Sequence, residues 1–262
     1  MPISVREVCK NDYAAWDKYV HAHPEGTFCH LSGWKIVIER GAGHSCPFFL
    51  AEENGKIVGI LPLTFRKSRL FGNALISSMF TVYGGVLADS SEAHTLLEEA
   101  AWHYAQANGL HIVSYRTIKS GHSEDIGWTV DTDSAATFIK PLNKTPEDIL
   151  LDIPRKQRAV VRKSLKTGLQ SVWGADVGAF YKLYAESVRN LGTPVFPKRL
   201  FEELLAVFGD AVEIQLVRTE EGNPIASLMS FYFKDTVLPY YAGGSPIARK
   251  YGAHDFMYYD LM

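Results

Sequence analysis

Cysteine is scarce in this chain of 262 residues: Cys9, Cys29 and Cys46 are the full set, an odd number with no Cys-x-x-Cys pair. That argues against a disulfide framework, and reduced thiols in a cytoplasmic protein are expected. No apolar run approaches the ~20 residues that cross a bilayer, so stable membrane insertion is not expected. The opening MPISVREVCKNDY has no basic start backed by an apolar stretch, and no export signal is read there. An excess of one charge is also lacking. Lys and Arg number 27 against 29 Asp and Glu, for a formal net charge of −2. Such a chain has no global pull toward DNA or an anionic membrane, so any polyanion must be met by a local patch. Neither G-x-x-x-x-G-K-[ST] nor G-x-S-x-G occurs, which disfavours a P-loop kinase and an α/β-hydrolase nucleophile. His21, His23, His30 and His44 crowd one stretch with Cys29 and Cys46, but their spacing matches no finger or protease pattern, and no metal site is expected.

What is present suits a globular protein of one large domain or two ordinary ones. Apolar residues make up 47% and charged residues 21%, enough to bury a sizeable core. A helix is predicted over 12–21 behind an Asn11 cap, and another over 32–40 that stops at Gly41. FFLAEENGKIVGILPLTF then places two apolar runs around Asn54-Gly55, a strong hairpin signal because both residues tolerate positive φ. ALISSM and YGGVLA read as strands. A long helix capped by Ser90 or Ser91 ends near Asn108-Gly109, and LHIVSYR reads as a buried strand.

The second half repeats this order. LQSVW reads as a strand, 176–190 and 197–208 as helices, VEIQLVRTEEGNPIASLMSFYF as a hairpin, TVLPYYAGG as a strand, and a helix runs from about Arg249. ENGKIVGILPL lies over EEGNPIASLMS around Gly55 and Gly222, and Tyr83-Gly84-Gly85 over Tyr241-Ala242-Gly243-Gly244. Two copies of one α/β unit are expected: residues 1–144, a connecting helical segment 145–168, and residues 169–262. The second copy stops at Met262 inside the helix that matches the first copy's long one, so its closing strand is expected to lie beyond this sequence.

The connecting segment starts with a Thr145 cap and Pro146, followed by DIPRKQRAVVRKSLKTGL. Arg155, Arg158, Arg162 and Lys166 share one helical stripe, flanked by Lys156 and Lys163. Val160, Val161 and Leu165 lie opposite. Spacing alone leaves an anion site and a plain solvated face equally open. The glycines after Tyr240-Tyr241 let a ligand near the backbone, and the helix that follows offers free N–H groups; an ordinary turn is the alternative. Trp34, Tyr258 and Tyr259 read as packing residues.

Together HPEGTFCHLSGWKIVIERGAGH, VGILPLTFRKSRLFGNALISSMFTVYGGVLAD, IPRKQRAVVRKSLKTGL, LGTPVFPKRLFEELLAVFGD and YYAGGSPIARKYGAHDFMYYDLM resemble the FemAB-like proteins. More narrowly they resemble those associated with exosortase and PEP-CTERM systems. The resemblance implies a mixed-sheet α/β fold of two tandem GNAT units, the second cut short. It implies an acyl or aminoacyl transferase that uses aminoacyl-tRNA, through its acyl end, or acyl-CoA as donor. The acceptor would be an amine of a nucleotide-sugar or glycan precursor, in peptidoglycan, exopolysaccharide or envelope assembly. By the same resemblance Lys156, Arg158 and Arg162 match the family's K-x-R-x-x-[VI]-R-[KL] region and would hold a diphosphate. Tyr83 matches an acceptor-side strand, and Trp34, Tyr241, Gly243 and Gly244 join the substrate-binding set. His254 and Asp255 are the candidates for a proton relay. A GNAT pyrophosphate loop reads about [QR]-x-x-G-x-[GA], whereas Arg249-Lys250-Tyr251-Gly252-Ala253-His254 ends in histidine, which departs from coenzyme A binding. A coenzyme A-dependent acetyltransferase and a non-catalytic ligand-binding relative stay open as alternatives.

Overall fold

Ser4–Glu7 opens the chain as a strand (β1) that sequence patterning does not predict. The computed structural model describes residues 2–70, 72–77, 79–118 and 127–262. Contacts divide the chain into two units, Met1–Val130 and Asp131–Met262, so the basic segment falls in the second.

In the first unit β1 is followed by α1 (Tyr13–Ala22) and α2 (Gly33–Gly41). Asp12 rather than Asn11 stands at the start of α1, and its side chain makes no cap to the helix; its Oδ2 accepts the Cys9 N–H at 2.7 Å in the turn before it. Helix α2 runs to Gly41, and the left-handed residue that releases the chain is Gly43 (φ 73°). β2 (Phe49–Glu53) and β3 (Lys56–Leu61) form the expected hairpin. Asn54 (φ 51°) and Gly55 (φ 74°) are both left-handed, as a two-residue turn between twisted strands requires. After Pro62 the chain changes sheet. β4 (Leu63–Arg66), β5 (Ala74–Ser77) and β7 (Val113–Ser114) form a separate three-stranded sheet, while β6 (Leu87–Ala88) joins the first in the order β1-β2-β3-β6. Of the ALISSM run, Ser78 lies outside the described residues. The buried strand expected over LHIVSYR is reduced to the two residues of β7, and Ile112 is exposed. Helix α3 (Ser91–Ala107) begins where Ser90 Oγ accepts the Ala93 N–H at 3.2 Å. Its Ala93, Leu97, Ala101 and Ala105 recur every fourth residue and form one core with Phe49, Leu61 and Leu75.

In the second unit Thr145 caps α4 (Pro146–Asp152), and α5 (Arg155–Ser164) follows. β8 (Gln170–Trp173), α6 (Val177–Asn190), α7 (Lys198–Phe208), β9 (Val212–Arg218), β10 (Pro224–Phe233) and β11 (Thr236–Gly244) come next. The four strands make one antiparallel sheet, β11-β10-β9-β8. Both units have a strand, two helices and a hairpin in that order, after which three strands (β4, β5, β6) lead to α3 in the first and β11 alone leads to the last helix in the second. The last helix here breaks at Gly252 (φ 64°) into α8 (Ala248–Tyr251) and α9 (Ala253–Leu261). Phe180 and Tyr184 of α6 and Phe201 of α7 pack in an aromatic cluster with Phe231 and Tyr241 of the sheet. Phe256 and Met257 of α9 pack with Val217, Ala226 and Leu228. The aligned glycine runs do not occupy like positions: Tyr83-Gly84-Gly85 lies in the loop before β6, whereas Tyr241 to Gly244 ends β11.

Candidate functional site

Helix α5 carries Arg155, Lys156, Arg158, Arg162 and Lys163, with Lys166 just beyond it, and these side chains line one groove. Among the described residues of this unit no Asp or Glu oxygen lies within 4 Å of any of the six. Like charges on neighbouring helical turns repel, and among the described residues of this unit no carboxylate offsets them. The side that packs differs from the expected one. Val161 and Ser164 are buried, while Val160 and Leu165 keep 36% and 46% of their surface exposed. Arg158 also differs from its neighbours. Its Nε donates to the Ile153 carbonyl at 3.1 Å, and its Nη2 donates to those of Leu151 (2.6 Å) and Ile153 (2.9 Å). A cation at the carbonyl end of α4 is favourable, so Arg158 fastens α4 to α5 rather than reaching freely for a ligand.

The recess beside α5 is lined by Val160, Ser245, Pro246, Arg249, Gly252, His254 and Asp255, among others. A Cβ on Gly252 would stand 3.1 Å from Val160 Cγ1, so α5 lies directly against the helix break. The two strand-end glycines serve packing, which corrects the expectation that they admit a ligand. A Cβ on Gly243 would fall 2.4 Å from Tyr184 Cα, inside the α6 backbone; one on Gly244 would fall 2.5 Å from His254 Cε1. The His254 ring therefore packs against Gly244 at the end of β11. It is half-buried, and burial lowers its pKa from the ordinary value, opposed by Asp255 and by a hydrogen bond to the Gly243 backbone. Burial thus favours the neutral imidazole. Asp255 is engaged by the Gln157 amide, which donates to its Oδ1. Sequence reading misses Gln157 because its partner is 98 residues away.

Two expected ligand contacts are core residues. Trp34 is 1% exposed, and its Nε1 donates to the Phe28 carbonyl at 3.1 Å. Tyr241 is 7% exposed, with ring centroids 5.1 Å from Phe201 and 6.0 Å from Tyr184. A side chain so enclosed presents almost no surface to a ligand. Tyr83 is half-buried in its loop, where its carbonyl accepts from Thr81 Oγ1 at 2.8 Å. Of the two tyrosines read as packing residues, Tyr258 is 39% exposed, and Tyr259 OH donates to the Pro146 carbonyl at 3.1 Å.

Residues 155–262 match the family described as an acetyltransferase (GNAT) domain. No match was found among curated proteins. Among solved structures the chain is similar to FemX, at 15% identity and TM-score 0.67, over 98% of this chain and 84% of FemX. It is similar to L-PGS from Bacillus licheniformis at 11% identity and TM-score 0.53, over 98% of this chain and 73% of that one. A tandem GNAT protein from the clavulanic acid biosynthesis pathway aligns at 9% identity and TM-score 0.52, over 99% and 84%. At such identities the likeness is one of fold, and the fold is the mixed α/β one of tandem GNAT proteins. No described helix is long and apolar enough to cross a membrane.

Proposed function

We propose that the chain is an N-acyltransferase of the FemAB-like type, moving an aminoacyl or acyl group from an activated ester to an amine of an envelope or exopolysaccharide precursor. The observation that carries this reading is the α5 groove: six basic side chains, none with a carboxylate within 4 Å among the described residues of its unit. Lys156 and Arg162, with Lys163 and Lys166 beside them, hold the phosphates of a nucleotide-sugar or glycan precursor. Arg158 positions the helix that presents them. Tyr83 is the first unit's candidate for acceptor contact.

Catalysis on this reading is mostly positioning. N–H groups at the start of α9, beside Gly252, polarise the ester carbonyl. The amine nitrogen bonds to the carbonyl carbon and gives its proton to His254; the ester bond between that carbon and the donor's alkoxide oxygen breaks, and His254 passes the proton on to the departing oxygen, which leaves as the free hydroxyl. Asp255, held by Gln157, is an orienting residue in this scheme. Aminoacyl-tRNA is favoured as donor over coenzyme A esters. The His254 ring lies on Gly244 and fills space that a glycine or alanine at position 254 would leave open.

The test presents the chain with aminoacyl-tRNA and, separately, acetyl-CoA, with an amine-bearing nucleotide-sugar as acceptor and product mass as readout. Transfer from aminoacyl-tRNA alone is expected. His254→Ala is expected to lower its rate by roughly 10²-fold or more, the usual contribution of a positioned base. Saturable coenzyme A binding with acetyl transfer would replace the donor assignment. Transfer from neither donor, with retained nucleotide-sugar binding, would leave a ligand-binding protein.

A further inference from the structure

The sheet face under α9 carries a second polar cluster, away from the recess at the start of that helix. α9 has nine residues, so its ends lie ~13 Å apart. Strand alternation sends Trp173, Glu213, Gln215, Ser230 and Tyr232 to this face. Trp173 stands in register with Gln215, and Glu213 with Ser230. Asp260 joins them from the last turn of α9. Beside Ser230 the β10–β11 register shifts: Met229 pairs with Tyr241 and Ser230 with Pro239, leaving Tyr240 as the extra residue of a bulge.

Apart from the Ser230 hydroxyl, the donors that face this cluster are already used. Trp173 Nε1 donates to Asp260 Oδ2 at 3.2 Å, and Tyr232 OH donates to Glu213 Oε2 at 3.2 Å. Gln215 Nε2 donates to the same Asp260 oxygen at 2.9 Å and to Ser171 Oγ at 2.8 Å, which employs both amide protons. What remains is mainly acceptor capacity. Gln215 and Ser230 are both 0% exposed, and Gln215 Oε1 and Ser230 Oγ have no hydrogen-bond partner. A buried polar atom left so costs ~1–3 kcal/mol, which makes an orphan in a well-packed sheet informative. Two carboxylates accompany them, and among the described residues of this unit no Lys, Arg or His nitrogen lies within 4 Å of either. The Trp173 ring, 36% exposed, offers an aromatic face at the edge strand.

We propose that this cluster binds a primary ammonium group of an organic amine. The ammonium carries three N–H donors and one positive charge, matching the surplus of acceptors, the two carboxylates and the indole face. Trp173 forms the outer wall, and its long contact to Asp260 yields as the amine enters. The site does not depend on the acyl-transfer reading and is tested by binding alone.

The experiment follows the Trp173 indole N–H by NMR, assigned with Trp173→Phe, while the full chain is titrated with 1,5-diaminopentane or with the neutral isostere 1,5-pentanediol. A saturable shift with the diamine only is expected. Asp260→Asn and Glu213→Gln should each weaken it at least about tenfold, the scale of a lost charge-assisted contact, with the melting temperature little changed. An equal response to the diol, no saturable shift with the diamine, or unchanged affinity in the folded variants overturns the proposal. If Asp260→Asn does not fold, the half-buried Glu213→Gln decides the matter.

Discussion

Arg6 of the first unit sits between two carboxylates, 2.7 Å from Asp12 and 2.9 Å from Glu52, whereas Arg162 of the second unit has none within 4 Å in its own unit. The Arg6 guanidinium holds the Asp12 carboxyl well below the usual carboxylate range. The same contrast runs through the histidines. His30 is fully buried, its Nδ1 2.8 Å from Thr27 Oγ1, and burial pushes its pKa down to about 3. His254 is half-buried beside a surface recess. Units that open with the same order of elements have therefore placed their polar chemistry differently. In the first, Arg6 is paired with carboxylates and His30 is kept neutral by burial. In the second, a helix of cations is left unneutralised, and unneutralised like charge is where binding is to be sought.

The largest expected effect tests the packing side of this contrast. Gly243→Ala sets a Cβ 2.4 Å from Tyr184 Cα and 2.5 Å from its N. Backbone cannot swing aside, so a loss of about 3 kcal/mol from the second unit is expected in chemical denaturation. Gly85→Ala meets the Thr117 side chain at 2.7 Å and a φ of 97°, and a smaller loss of about 1–2 kcal/mol is expected. Equal losses would break the distinction between the two glycine runs.

Acid should separate the units next. The folded first unit keeps His30 neutral down to about pH 3, while the unfolded chain protonates it near the ordinary value of 6.5. Proton uptake then favours the unfolded state, so this contribution is complete above pH 6.5 and is lost as pH falls toward 3. Tryptophan fluorescence reads the first unit well, since Trp16, Trp34, Trp102 and Trp128 lie there and only Trp173 in the second. Melting followed this way should show an acid-induced drop that His30→Gln flattens. An unchanged pH profile in His30→Gln would contradict the assignment.

Within α5 the arginines should part company. Arg158→Ala removes hydrogen bonds to two carbonyls and is expected to lower stability by about 1–2 kcal/mol, discounted for its partial exposure. Arg162→Ala should stay within about 0.5 kcal/mol of the parent. Equal effects would return Arg158 to the ligand-binding set. The smallest expected difference is between the hairpin glycines. Gly55 (φ 74°) and Gly222 (φ 84°) face open space, and alanine at either should cost about 1 kcal/mol. A clear inequality would mean that the two turns are not equivalent.

Local chemistry made much of the fold legible from sequence. The Ser90 and Thr145 caps, the Asn54-Gly55 turn and the one-signed charge of α5 are each decided by residues within a few positions, and each stands where the residues place it. Non-local features were harder to see. β1 is the short polar segment SVRE, held by pairing with β2, and polar edge strands carry little apolar alternation to find. Pro62 diverts an apolar run into another sheet. LHIVSYR has the apolar pattern of a strand, but only Val113 and Ser114 pair as a strand, with β5. At the site, the family resemblance pointed to Tyr241, Gly243 and Trp34, although the residues alone read Trp34 as packing; aromatic and glycine residues serve ligands and cores alike. The discriminating facts, burial and the approach of the α6 backbone, arise only on folding. Gln157 and Asp255, like Gln215 and Asp260, meet across 98 and 45 residues.

The central claim, that the α5 cations serve a phosphate-bearing ligand, is tested most directly by titrating a nucleotide-sugar diphosphate into the chain and its Arg162→Ala and Lys166→Ala variants at several salt concentrations. Charge-assisted contacts to phosphate contribute ~1.5–3 kcal/mol each. The account predicts affinity at least tenfold weaker in Arg162→Ala, a shallower salt dependence in both variants, and unchanged thermal melting. Equal affinity and equal salt dependence across the three proteins would contradict it and leave α5 as a solvated helix face.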